Sequence, residues 1–128
     1  MTMDIFFVNG IPFFITLSRK IDFTSVSHLA NRKIKSIFTA FSELYRYYIQ
    51  RGFRITTIQA DGEFAPLQSM IKAMPGGPRM NLATASEHVP EIERHIRVVK
   101  ERTRSMRHGL PFTKIPKLMV IHMVFRAV

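Results

Sequence analysis

Three aspartates, Asp4, Asp22 and Asp61, are all that the chain contains, and two of them stand where metal chemistry is possible. Asp4 opens an apolar run, Asp4-Ile-Phe-Phe-Val8, and Asp61 ends a β-rich run that extends from Phe53 to Ala60. If both runs are strands, acids at neighbouring strand ends converge at the edge of a sheet. Such a pair suits a divalent cation such as Mg²⁺, which takes hard oxygen ligands, keeps several waters and needs two or three carboxylates beside a substrate phosphate. A structural explanation competes: Asp61 starts an Asp-Gly turn, and Asp4 lies near a frayed terminus. On these two residues alone the structural explanation is the stronger.

A third acid changes the weighing. Pro90 suits the first turn of a helix that runs to about Arg107 and ends at His108-Gly109. At about 100° per residue, Ile92, Ile96, Val99, Thr103 and Met106 form its buried stripe. One flank carries Glu93, Arg97, Lys100, Arg104 and Arg107: one acid at the helix start, then a ladder of cations. That order suits a carboxylate on a metal whose helix goes on to follow a phosphate backbone. The other flank holds Glu91, His95, Val98 and Arg102, and a solvated charged face would look much the same.

Nineteen Lys and Arg against nine Asp and Glu give a formal charge of +10. A field of that sign favours polyanions, nucleic acid first. With no cysteine, disulfide frameworks and thiolate zinc sites are excluded, and the five histidines show no close ligand spacing. The longest uncharged run, Ile5 to Ser18, is too short to span a bilayer and has no basic start of a signal peptide. A soluble intracellular protein with no membrane partner is expected.

The elements that must position the acids are legible as a series. Asp4–Val8 and Ile11–Leu17 read as strands around Asn9-Gly10, a pair that tolerates the positive φ angles of a type I′ turn. A short strand follows near Ile21–Val26. The clearest helix is Asn31–Arg51, with Ile34, Ile37, Phe38, Phe41, Leu44, Tyr45, Tyr48 and Ile49 as its apolar stripe and Gly52 as its cap. The three tyrosines of this helix read as core and rim packing rather than base stacking. A strand over Phe53–Ala60, a helix over Pro66–Met74, a strand over Met80–Ala85, the Pro90 helix and a last helix over Ile115–Phe125 complete the order.

With these pieces in place the ordered set resembles the catalytic core of retroviral and copia-type LTR retrotransposon integrases. Asp61-Gly-Glu-Phe64 is similar to that family's D-N-G-x-E-F signature, and Glu93-Arg-His-Ile-Arg-Val-Val-Lys-Glu101 to its E-R-x-N-R-T-x-K-E helix. Asp4-Ile-Phe-Phe with the hairpin resembles the first catalytic strand, Ser18-Arg19 the S-R after the second, and Leu110-Pro-Phe-x-x-Ile-Pro116 the stretch after the catalytic helix. The 56 residues between Asp4 and Asp61 and the 31 between Asp61 and Glu93 run slightly shorter than the family's D…D-x-E spacing. The Asn after the second Asp is missing, His88-Val-Pro-Glu-Ile replaces the usual N-G before the catalytic Glu, and Ile96 stands where the family has Asn.

The resemblance implies an α/β, RNase H-like mixed five-stranded sheet flanked by helices on both faces. It implies one domain over residues 1–128, a piece of a larger polyprotein truncated at both ends. It further implies that Asp4, Asp61 and Glu93 hold two Mg²⁺ or Mn²⁺ ions, with Arg97, Lys100, Arg104 and Arg107 on DNA. The implied reaction is 3′-end processing and strand transfer of element DNA by a homo-oligomer, in the nucleus after cytoplasmic synthesis. Two rivals stay open: another RNase H-like nuclease, and a degenerate relic that binds nucleic acid without catalysis.

Overall fold

The computed structural model describes residues 1–82 and 90–128. Five strands form one sheet: β1 (Thr2–Val8), β2 (Ile11–Ser18), β3 (Phe23–His28), β4 (Thr57–Ala60) and β5 (Arg79–Leu82). Their order is β3-β2-β1-β4-β5. The first three make an antiparallel meander, and β4 and β5 add in parallel beside β1. Four α-helices accompany the sheet among the described residues: α1 (Ile34–Gln50), α2 (Ala65–Lys72), α3 (Pro90–His108) and α4 (Lys117–Ala127). The element order follows the sequence pattern throughout. Of the strand expected over Met80–Ala85, the part beyond Leu82 lies outside the described residues.

Alternation along the strands makes two cores. Met3 of β1 and Phe14 of β2 join Ile37, Phe41 and Tyr45 of α1 and Leu67 and Ile71 of α2 on one face. Phe6 of β1 and Phe13 and Ile15 of β2 join Ile92 and Val99 of α3 and Val120 and Val124 of α4 on the other. Successive side chains of a strand point to opposite faces, so Asp4, in phase with Phe6, belongs to the face that α3 covers. Between the helical layers β2 is buried on both sides, which explains its almost uninterrupted apolar sequence.

The hairpin is built as its sequence demands, with Asn9 at φ 51° and Gly10 at φ 74°. Pro12, which has no N–H to donate, sits beyond the last β2–β3 pair, Phe13↔His28, and its carbonyl accepts from the Leu29 amide at 3.0 Å.

Three expectations need correction. Asp4 does not begin its strand: β1 starts at Thr2 and pairs with β2 along its whole length, so Asp4 is held in the ladder rather than near a frayed end. The strand after α1 is shorter than the expected Phe53–Ala60, because Phe53 is spent on the helix terminus. Its amide donates to the Tyr48 carbonyl at 3.0 Å, and pairing begins only at Thr57. Ile49 is 51% exposed, one 100° step past the buried Tyr48. Of the tyrosines, Tyr45 and Tyr48 are core, whereas Tyr47 lies at the surface between the Phe23 ring and the Arg51 guanidinium.

Gly52 ends α1 at φ 79°. A side chain in that left-handed region costs roughly 1–2 kcal/mol. Gly52→Ala is therefore expected to lower the stability measured by urea unfolding by about that amount. An unchanged midpoint would mean that the turn relaxes freely.

Candidate metal centre

The strand register brings the two aspartates together. Thr2 of β1 pairs with Gln59 of β4 in parallel, and two further residues along each chain set Asp4 beside Asp61. Asp61 also performs the turn role expected of an Asp-Gly pair. Its Oδ1 accepts the Glu63 amide at 2.9 Å and caps a 3₁₀ turn, Gly62–Phe64. Capping and metal binding do not compete, since a carboxylate offers several lone pairs.

That turn delivers a third acid. Ligand oxygens of Asp4, Asp61 and Glu63 all lie within 4.8 Å of one another. Glu63 was not singled out in the sequence as a ligand. The signal was the two-residue step from Asp61, which equally describes a surface turn. Arg32, in the loop before α1, donates to Glu63 Oε2 at 2.7 Å. Among the described residues no Lys or Arg is ion-paired with Asp4 or Asp61.

Asp4 bears the electrostatic cost. Burial is the main cause that pushes its pKa up to about 6, and the repulsion of Asp61, Glu63 and Glu93 adds to it. A hydrogen bond from the Ile5 amide to Asp4 Oδ1, at 2.8 Å, works the other way. A cluster of hard oxygens that repel one another in a half-buried setting fits a divalent cation, whose charge would reverse each of these penalties.

The expected third ligand, Glu93, stands in the first turn of α3 on the exposed side and falls outside the 4.8 Å group. Its charge nonetheless acts on Asp4, which puts it on the carboxylate side of the helix. The predicted helical phase holds, with Ile92, Val99 and Thr103 buried. Glu91 accordingly turns to the opposite flank, where it is paired with Arg19 of the β2–β3 connection. The hydrogen bond from Arg19 holds the Glu91 carboxyl below its usual range.

Arg97, Lys100, Arg104 and Arg107 are all exposed. The last three line a cleft of about 260 Å³ together with Phe7 and Asn9 near the hairpin tip and Ile115 and Val120. Arg107 reaches Asn9 Oδ1 at 3.4 Å. Lys100, Arg104 and Arg107 thus place a basic patch beside the hairpin tip.

A mixed five-stranded sheet of this order with helices on both faces is the expected RNase H-like arrangement. One solved structure with this fold is the catalytic core domain of BIV integrase, which superposes with a TM-score of 0.65 over 98% of this chain and 78% of that one. The two are 11% identical, so the likeness is one of fold. No family model and no curated protein matches the sequence. No helix among the described residues is long and apolar enough to cross a membrane.

Proposed function

We propose that the chain is a polynucleotidyl transferase core that acts on DNA through a divalent-metal centre, as part of an element's integration machinery. The observation that carries this reading is the Asp4–Asp61 juxtaposition on neighbouring strands of an integrase-type sheet. Asp4, Asp61 and Glu93 are the proposed ligands of two Mg²⁺ or Mn²⁺ ions. Ions in such a centre supply Lewis-acid activation of a water or a DNA 3′-hydroxyl and neutralise charge developing at phosphorus.

The chain's own residues do the positioning. β1 and the end of β4 bring the two aspartates together, and α3 carries Glu93 on the flank whose cations would follow the phosphate backbone. Clustered carboxylates without bound cations repel the polyanion, so productive DNA approach depends on prior neutralisation of the centre. Element ends and target DNA are the proposed substrates, the assembly a homo-oligomer, and the nucleus the proposed place of action.

The test is incubation of a recessed duplex end with target DNA and Mn²⁺. Strand-joined products support the proposal. Cutting of RNA–DNA hybrids without joining would favour the RNase H-like nuclease, and failure to take up metal would favour the non-catalytic relic.

For the basic surface, replacing Lys100 and Arg104 together by Ala is expected to weaken binding to unrelated duplexes about equally. Each phosphate contact contributes about 0.9 to the slope of log K against log salt, so the slope should flatten by about 1.8. A loss confined to one sequence would indicate base readout instead.

A further inference from the structure

The Asp4–Asp61 pair has a glutamate on each side of the sheet. Glu93 comes from α3, whose apolar residues pack on the face that holds Phe6 and Phe13. Glu63 comes from the other side, where it borders a hollow formed with Ile5, Ile34, Ile37 and Phe64, residues of the α1 core. Left to itself, a Glu63 side chain that is 40% exposed would swing into water, since two carboxylates repel it and long rotamers are costly to fix. Yet its oxygen lies within 4.8 Å of theirs.

Arg32 supplies the restraint. Its Nη2 donates to Glu63 Oε2 at 2.7 Å, and its guanidinium rests over the Phe7 ring, 5.2 Å from the centroid. The backbone that carries it is pinned in turn. Asn31 Oδ1 accepts both the Lys33 amide at 2.9 Å and the Ser36 hydroxyl at 2.8 Å, which fixes the entry to α1. Arg32 is thus oriented by a capped loop below and an aromatic face beside it. Its ion pair engages one of the two carboxylate oxygens of Glu63.

We propose that Arg32 is a positioning residue that holds Glu63 beside Asp4 and Asp61 as a further oxygen donor to the metal centre. This rests on the metal reading above. Outer partners that orient a ligand typically change metal affinity by about 10–100-fold. Lysine is not an equivalent here, because it has neither the planar fork nor a flat face to lay on Phe7.

The sign of the effect separates positioning from plain electrostatics. A cation near a metal site opposes metal binding, so if Arg32 acted only through its charge, Arg32→Gln would tighten binding and Arg32→Lys would leave it unchanged. Positioning demands the opposite. The experiment is calorimetric titration of Mn²⁺ into the full chain and into Arg32→Lys, Arg32→Gln, Glu63→Gln and the Arg32→Lys/Glu63→Gln double variant, with the unfolding midpoint of each recorded. We expect Arg32→Lys, Arg32→Gln and Glu63→Gln each to weaken Mn²⁺ binding by roughly tenfold, with the double variant no weaker than Glu63→Gln, as for residues acting through one contact. Wild-type affinity in Arg32→Lys, tighter binding in Arg32→Gln, or additive losses in the double variant would each overturn the proposal. Wild-type protein that binds Mn²⁺ through Asp4, with Arg32→Lys indistinguishable from it, defeats this inference alone. Wild-type protein that binds none defeats the metal reading and this inference together.

Discussion

Asp4→Asn is expected to stabilise the metal-free protein at pH 7.5 and to abolish its response to Mn²⁺. In the folded chain the Asp4 pKa stands at about 6, against 3.8 for the unperturbed group. A folded-state pKa above the unfolded one means that the native state binds the proton more tightly, so stability falls as pH rises between the two values. The penalty is absent below about pH 4 and complete above about pH 6. Taken at face value, a displacement of that size is worth about 3 kcal/mol at 1.36 kcal/mol per unit. Asp4 is only half-buried, and solvent screening reduces this to on the order of 1–2 kcal/mol. Asparagine removes the charge and retains an oxygen to accept the Ile5 amide. In EDTA the variant should therefore unfold later than the wild type at pH 7.5, and the difference should close as pH falls through 6 to 4.

Metal inverts the ranking. A ligand at a hundred times its Kd adds about 2.7 kcal/mol to the state that binds it, and only the wild type should show this gain. Thermal or urea unfolding of the pair, with EDTA and with Mn²⁺, gives curves that cross. A variant less stable than the wild type in EDTA at neutral pH would show that the acid cluster is not under electrostatic strain. The corresponding loss of strand joining should exceed the roughly hundredfold typical of an outer partner, because a proposed direct ligand would be gone.

The sequence exposes periodicity, turn chemistry and composition, and what those specify was legible. Asn9-Gly10 announces a type I′ hairpin, and the spacing of Ile92, Val99 and Thr103 sets the rotation of α3 well enough to separate Glu91 from Glu93. The Asp4–Asp61 meeting was legible only in outline, because it depends on a parallel register, Thr2↔Gln59, between strands that are not consecutive in sequence. No local pattern fixes that register; the packing of two helical layers does. Glu63 and its partner Arg32 were invisible for a similar reason. Their contact spans 31 residues and joins two loops whose residues carry no periodic signal. The Arg19–Glu91 pair, 72 residues apart, escaped likewise.

That pair bears directly on which glutamate of α3 serves the centre. Residues two apart on a helix point about 200° apart, so Glu91 and Glu93 cannot share one metal pair. Glu91 is held by Arg19 across the β2–β3 connection, on the flank away from the aspartates. Glu93 is near enough to raise the pKa of Asp4, and it begins the row that continues through Arg97, Lys100 and Arg104. Glu93→Gln is therefore expected to reduce metal-dependent strand joining by at least about a hundredfold, beyond the range of outer partners, with an unchanged far-ultraviolet spectrum and unfolding midpoint. Glu91→Gln releases an exposed ion pair, and such pairs contribute little to stability, so activity should stay within about twofold of the wild type. Both variants keep shape and differ from the parent by one charge, which makes the comparison one of position. The reverse ranking would mean that α3 presents its other flank to DNA, and that the basic row from Arg97 to Arg107 faces solvent for some different purpose.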